Sequence, residues 1–269
     1  MADGRLVVCP TPIGNLEDVT LRVLRVLGEA DVLACEDTRH TRKLLDRHGI
    51  EPRGQVLSYH EHNERKRAAE LVEKIEGGAV VALVSDAGMP GVSDPGAVLV
   101  AACRDAGLAV EVLPGPSAVV TAVVAAGLPT ETWCYVGFLP RKKAELERTL
   151  RESTGTLVAF ESPRRLASTL AVLAGIDSER PVAVCRELTK VHEEVVRGTA
   201  AELAERFAEG TRGEVVLVIA PATAGEPDPA EAQAAVERLI KAGARRRVAA
   251  SVVSSMTGVR ANTLYRSAE

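Results

Sequence analysis

Two segments concentrate the residue types that do chemistry. Glu36-Asp37-Thr38-Arg39 sets two carboxylates and a guanidinium directly after an apolar run at 31–35. A carboxylate there can accept a proton and the guanidinium can grip an anion, or the three can simply neutralise one another in an ion-pair network. The segment 186–190 (RELTK) repeats acid beside base late in the chain, so Glu187 and Lys190 are rival candidates for the same work. Asn15 offers an amide that can position a substrate. His60-x-His62, with Glu61 and Glu64, has the alternate spacing that puts two ligands on one face of a strand. No third His or Cys clusters nearby in the sequence, so no metal is expected. Ser117 has no evident His or Asp partner, which leaves nucleophilic hydrolysis unsupported.

The elements that must position these groups follow from apolar periodicity. Runs at 5–9, 31–35, 80–84 and 109–113 read as strands, and amphipathic stretches at 20–27 and 63–76 read as helices, the second stopping at Gly77-Gly78. This β/α alternation predicts a mostly parallel sheet with helices on both faces. Each of three strands runs into a Gly/Pro-rich loop: 10–15 (PTPIGN), 85–96 (SDAGMPGVSDPG) and 114–118 (PGPSA). Such loops at the carboxyl ends of strands are where an open α/β sheet takes its ligand, and glycine lets the backbone approach it closely. None spells GxGxxG or GxxxxGK[ST], so neither a dinucleotide fold nor a P-loop is supported. Asp94 reads as a helix N-cap with Pro95 in the first turn and Gly107 as the stop, and Ser162-Pro163 repeats that signal.

A second block begins near Ser117. Strands are predicted at 132–136, 156–160, 181–186, 194–197 and 214–220, with helices at 142–152, 163–174 and 200–209. The short gap between 186 and 194 predicts antiparallel pairing, hence an α+β second half. The segment 221–229 (PATAGEPDP) reads as a linker. Beyond it, helices at 231–242 and 246–255, a break at Thr257-Gly258 and a short helix at 261–266 resemble a helix-turn-helix whose first buried face is Val248, Ala249, Val252 and Val253. The chain therefore divides into an α/β domain at 1–116, an α+β domain at 117–221 and a small basic helical tail at 230–269.

Composition narrows the class. With 46% hydrophobic and 26% charged residues, the balance is that of a soluble globular protein, and 3% aromatics demands an aliphatic core. No apolar stretch approaches a membrane span, and residues 1–8 lack the pattern of a signal peptide. The five cysteines form neither CxxC nor a compact framework, so reduced, packed thiols in a cytoplasmic protein are expected. Net charge is −4, yet residues 238–268 hold seven basic side chains and no acidic one. A basic end on an acidic body is either a polyanion-binding surface or a solvated charged helix.

The segments TPIGNLEDVTLRVL (11–24), ADVLACEDTRHTRKLL (30–45), SYHEHNE (58–64), SDAGMPGVSDPG (85–96), LPGPSA (113–118), FESPRR (160–165) and RELTKVHEE (186–194) resemble, in this order, the ribosomal RNA small subunit methyltransferase I group. That group is a branch of the tetrapyrrole methylase superfamily. The resemblance implies a two-domain α/β fold that binds S-adenosylmethionine in the cleft between its domains. It also implies a homodimer and a cytidine 2′-hydroxyl in the decoding region of 16S rRNA as acceptor. On this reading Pro10, Thr11, Ala87, Gly88 and Met89 supply close backbone contact, while Asp86 meets the ribose or the cationic end of the cofactor. Gly115, Ser117 and Ala118 present helix-start N–H groups to its carboxylate, and Phe160, Glu161, Glu214 and Val215 close the pocket from the second domain. Glu36 or Asp37 then takes the hydroxyl proton, Arg39 holds a phosphate, Asn15 places the acceptor, and Glu187 and Lys190 are alternatives. His60 and His62 are left to hydrogen bonding. A tetrapyrrole C-methyltransferase and a non-catalytic nucleic-acid-binding regulator are the competing readings; the rRNA-like motifs and intact loops weigh against them.

Overall fold

The first half forms five short strands, of which the three central ones are buried on both faces while the two edge strands are partly exposed. The computed structural model describes residues 4–222 and 229–266, with no side-chain description for Glu231 and Arg266. Strands β1 (Arg5–Cys9), β2 (Val32–Cys35), β3 (Gln55–Ser58), β4 (Val80–Val84) and β5 (Ala109–Val112) make one all-parallel sheet in the order β3-β2-β4-β1-β5. Helices α1 (Leu21–Glu29) and α2 (Thr38–Arg47) cover one face, where Val7, Cys9 and Leu33 meet Val23, Leu27, Leu44 and Leu45. Helices α3 (Glu64–Glu76) and α4 (Ala97–Asp105) cover the other, where Leu6, Val8 and Leu83 meet Leu71, Ile75 and Leu99. Alternate residues of one strand thus feed opposite cores, which is why these strands read as continuous apolar runs.

Helix ends explain two departures from the sequence reading. Asp94 does not cap α4. The helix starts at Ala97 with Gly96 as its N-cap, because the Pro95 carbonyl turns back to accept the Gly91 N–H at 3.2 Å and so lies in a closed loop. Ser162 does not cap the next predicted helix either. Its carbonyl accepts the Arg165 and Leu166 N–H groups, and the chain makes a turn first, held by the Arg165 guanidinium on the Leu139 and Pro140 carbonyls. The stops fall as predicted: Gly78 and Gly107 both take positive φ just past α3 and α4.

In the second half, β6 (Trp133–Phe138), β7 (Thr156–Glu161), β8 (Pro181–Arg186), β9 (Glu194–Thr199) and β10 (Val215–Ile219) form a mixed sheet ordered β6-β7-β10-β8-β9. Only β6 and β7 are parallel; β7, β10, β8 and β9 pair antiparallel, including the 181–199 hairpin. Helix α5 (Ala118–Ala126) packs on the face of Val158, Ala183, Cys185, Val216 and Val218. Helices α6 (Lys143–Glu152), α7 (Leu166–Ile176) and α8 (Ala200–Arg206) pack on the face of Leu157, Val184, Leu217 and Ile219. Both sheets belong to one compact unit reaching Pro221. Ile13, from the loop after β1, is part of the core under α5 and so stitches the first sheet to the second.

Most of the linker read at 221–229 lies outside the described residues. The C-terminal unit is a three-helix cluster: α9 (Pro229–Lys241), α10 (Arg246–Thr257) and α11 (Ala261–Arg266) share a core of Ala232, Val236, Ala249, Ala250, Val253, Val259 and Leu264. The buried stripe of α10 is therefore Ala249, Ala250 and Val253, and the expected Val248 and Val252 are about half exposed. One helical turn cannot bury both stripes, and contact with α9 and α11 selects the smaller side chains. Among the described residues no helix is long and apolar enough to cross a membrane.

Candidate active site

The loops after β1, β4 and β5 interlock at the carboxyl edge of the first sheet. Thr11 and Gly88 exchange backbone hydrogen bonds of 2.9 Å, and the Thr11 hydroxyl donates to the Ser85 carbonyl at 3.0 Å. Gly88 sits at φ +76°, a conformation that strains any residue with a Cβ. At Gly115 a Cβ would fall on the Pro10 ring, so glycine there lets the first and third loops touch. Ser117 caps α5 by accepting the Val120 N–H.

Between this edge and the second sheet lies a cleft of about 450 Å³. Ala87, Gly88 and Met89 line it from the β4 loop, Ser117 and Ala118 from the start of α5, and Phe160, Glu161, Glu214 and Val215 from the second sheet. Pro10, Thr11, Asp86 and Gly115 do not line it; they brace the loops that do. Val216, next to Val215, lines it too, and so do Ile13, Val92, Ser93, Asp94, Val119 and Phe138, which the sequence does not single out as wall residues. Phe138 gave a signal: it is one of three Phe in the chain and is 61% exposed at a strand end. Glu161 is fully buried and its carboxylate is already occupied, accepting from the Thr169 hydroxyl at 2.6 Å and the Ser162 N–H at 2.7 Å, with Arg165 3.4 Å away.

The predicted acid–base residues fall into two sets. At the first sheet, Glu36 accepts the Asp86 N–H at 3.1 Å, while Asp86 accepts the Asp37 N–H at 2.9 Å and pairs with His40 at 2.8 Å. Burial raises the Glu36 carboxyl above its ordinary range against the pull of the Asp86 N–H, and the Asp86 and Asp37 charges add to the rise. Asp37 is the N-cap of α2 and takes the Arg39 guanidinium on both oxygens, which holds its carboxyl far below the usual range. Ligand atoms of Asp37, His40 and Asp86 lie within 4.8 Å of one another, but each already has a partner inside the protein. His60 bonds Asn63 and stacks edge-on with His62 rather than joining this group.

At the second sheet, Lys190 donates to Glu187 and Glu214, both at 3.0 Å, and Glu187 also accepts the Glu214 N–H at 2.8 Å. That N–H and then the ammonium hold the Glu187 carboxyl down. Burial pulls the Lys190 ammonium down, but its two carboxylates outweigh this and raise it. Asn15 ties the loop after β1 to the second sheet: its N–H donates to the Thr189 hydroxyl at 3.1 Å, while its side chain caps the 3-10 turn Leu16–Asp18. Four of the five thiols are buried, and burial pushes Cys9 to about 12 and Cys35 to about 11, so they serve packing.

A cleft between a parallel and a mixed sheet, floored by backbone loops, defines the class. The sequence model of the family Tetrapyrrole (Corrin/Porphyrin) Methylases matches residues 5–204. Among solved structures, the uroporphyrin-III C-methyltransferase of Thermus thermophilus complexed with S-adenosylhomocysteine aligns with a TM-score of 0.56 at 21% identity, over 80% of this chain and 97% of that one. A diphthine synthase aligns with a TM-score of 0.60 at 16% identity, over 80% and 90%. Proteins named Ribosomal RNA small subunit methyltransferase I are far more similar: that of Mycobacterium tuberculosis is 47% identical over 98% of this chain and 94% of its own length. That of Escherichia coli O157:H7 is 41% identical over 98% and 94%. The chain belongs to the tetrapyrrole methylase family, in its ribosomal RNA small subunit methyltransferase I branch.

Proposed function

We propose that the protein methylates the 2′-hydroxyl of a cytidine in the decoding region of 16S rRNA, using S-adenosylmethionine. The observation that carries this reading is the near-full-length identity to relatives named for small-subunit rRNA methylation. The cleft is chemically suited to the cofactor. Ala87, Gly88 and Met89 offer backbone to a ribose and an amino-acid moiety, and the N–H groups at the start of the nine-residue α5 suit a carboxylate. Ile13, Phe160, Val215 and Val216 give an apolar wall for a flat base. When bound, the cofactor supplies a methyl group made electrophilic by its sulfonium.

The chain's own part is to orient the acceptor, exclude water and remove one proton. Arg39 is exposed beside the cleft's acidic edge, where its outer N–H groups suit a phosphate. Exposed Arg238, Lys241, Arg245, Arg247 and Arg260 suit RNA docking by the C-terminal unit, where Arg246 lies over the Tyr265 ring at 5.5 Å. The test is transfer of labelled methyl to small ribosomal subunits lacking this modification, mapped by alkaline hydrolysis, which 2′-O-methylation blocks. One protected cytidine is the expected result. Cofactor binding without transfer to rRNA would overturn the reading and turn attention to a tetrapyrrole acceptor.

A further inference from the structure

We propose that Asp94 is the general base that removes the proton from the acceptor hydroxyl. This rests on the methyl-transfer reading above and names the group that reading leaves open.

Asp94 lies in the wall of the cleft, on a loop built to keep it there. The Gly91–Pro95 hydrogen bond closes the loop, and Gly96 takes φ +144° against Leu83 and the Gly91 backbone. Ser93 holds φ +62°, a left-handed conformation that a non-glycine residue adopts only when its surroundings impose it. Its hydroxyl is tied to the Tyr135 hydroxyl of β6 at 2.5 Å, so the loop is anchored to the second sheet as well.

The other carboxylates are committed. Asp37 is saturated by Arg39, Glu187 and Glu214 share Lys190, and Glu161 is sealed by Thr169, Ser162 and Arg165. Glu36 is bonded to the Asp86 N–H and does not line the cleft. Asp94 alone among the cleft's carboxylates, within the described residues, has no salt-bridge partner; the Ser85 hydroxyl is its hydrogen-bond neighbour. The charged groups that act on it are all acids: Glu36 beyond β2, Asp86 beyond β4 and Glu214 before β10, with the Tyr135 phenol close by. Burial first, and these carboxylates second, push it up to about 7. A carboxylate so placed is ionised in a useful fraction at neutral pH and is basic enough to matter when a hydroxyl begins to lose its proton.

The step balances without a further reactant. The acceptor oxygen bonds the methyl carbon as the carbon–sulfur bond breaks and its electron pair stays on sulfur. The hydroxyl proton passes to an Oδ of Asp94 and leaves to solvent when the product departs.

The experiment compares the wild-type protein with Asp94→Asn and Asp94→Glu. Three readouts are taken: kcat and kcat/KM against pH on unmodified subunits, calorimetric affinity for S-adenosylhomocysteine, and the carboxyl carbon titration of Asp94 by NMR. We expect kcat to fall about 10²–10³-fold in Asp94→Asn, with partial recovery in Asp94→Glu. S-adenosylhomocysteine affinity should move by less than about threefold, which also reports that the variant is folded. The acidic limb of the wild-type profile, taken as kcat/KM so that it reports the free protein, and the carboxyl titration of the free protein should share a midpoint near 7, and Asp94→Asn should lack both. An active wild type with an Asp94→Asn kcat unchanged within about threefold would overturn the role of Asp94 alone. So would a titration in the ordinary carboxylate range, or a loss confined to cofactor affinity. A wild type that binds cofactor and methylates no rRNA would overturn the parent reading, and this role with it.

Discussion

At the second sheet, Glu187 and Glu214 share the Lys190 ammonium; at the first, Arg39 takes Asp37 and His40 takes Asp86, while Glu36 and Asp94 have no salt-bridge partner among the described residues. The residue types are alike and the proton affinities are opposite. Glu187 is held below its ordinary range, whereas Glu36 and Asp94 are raised above theirs. Lys190 settles the charges of the second set; Glu36 and Asp94 are left holding their protons more tightly, and of the two Asp94 lines the cleft. Residue identity alone does not separate a catalytic carboxylate from a bracing one. The number of cations within reach and the depth of burial do.

Substitutions can break or sharpen this contrast. Lys190→Met should have the largest effect on folding, because it leaves Glu187 and Glu214 unneutralised beside each other. After allowance for the exposure of Glu214, a loss of about 2 kcal/mol at pH 7 is expected in urea unfolding. A change below about 0.5 kcal/mol would mean the second set is not a brace.

Asp94→Asn should act in the opposite direction. Because the Asp94 pKa is raised to about 7 in the folded protein, the fold binds more protons than the unfolded chain between the ordinary carboxylate range and pH 7. Stability attributable to this group therefore falls as pH rises across that window and stays reduced above it. At pH 8 the Asn variant should be the more stable by about 1–2 kcal/mol, with the gain gone below about pH 4. Glu187 has the reverse sign: its contribution is present above the ordinary carboxylate range and is lost as pH falls. An Asn variant less stable at pH 8 would erase the difference between the two sets.

Arg39→Ala should leave the unfolding midpoint unchanged, since the Asp37–Arg39 pair is at the surface. The titration of Asp37 should nonetheless move upward toward the ordinary range, because the guanidinium bonds that depress it are gone. An Asp37 titration that stayed depressed would assign the effect to the start of α2 instead.

The loops that meet at the cleft were legible in the sequence because glycine declares backbone needs locally, as at Gly88 and Gly115. So was the division into a parallel and a mixed sheet, since continuous apolar runs and the short gap between 186 and 194 encode it. What escaped was set by distant neighbours. Asp94-Pro95-Gly96 before an apolar run is the same local signal whether Asp caps the helix or faces a cleft, and only the positions of Glu36, Asp86 and Tyr135 decide. Helix α2 buries only Thr41, Leu44 and Leu45 in an otherwise polar segment, and the edge strand β3 is half exposed, so neither stood out as an apolar run. The sequence offers an ion-pair network of Glu36, Asp37 and Arg39; Asp37 and Arg39 do pair, but Glu36 turns to the Asp86 N–H, which only the fold brings near.

Ile13 and Gly14 have a consequence for how the chain is made. Ile13 is packed in the core under α5 with Leu188, and a Cβ on Gly14 would collide with Thr189 and Lys190. Asn15 and Thr189, bonded in the same clasp, are 174 residues apart. A ribosome delivers the whole parallel sheet long before it delivers the segment that fastens its first loop. The nascent first sheet therefore has its β-strands before it has a finished pocket, and closing that long loop is a late, entropically costly event. The cleft is thus complete only once translation has passed both Lys190 and the residues Glu214, Val215 and Val216 that wall it.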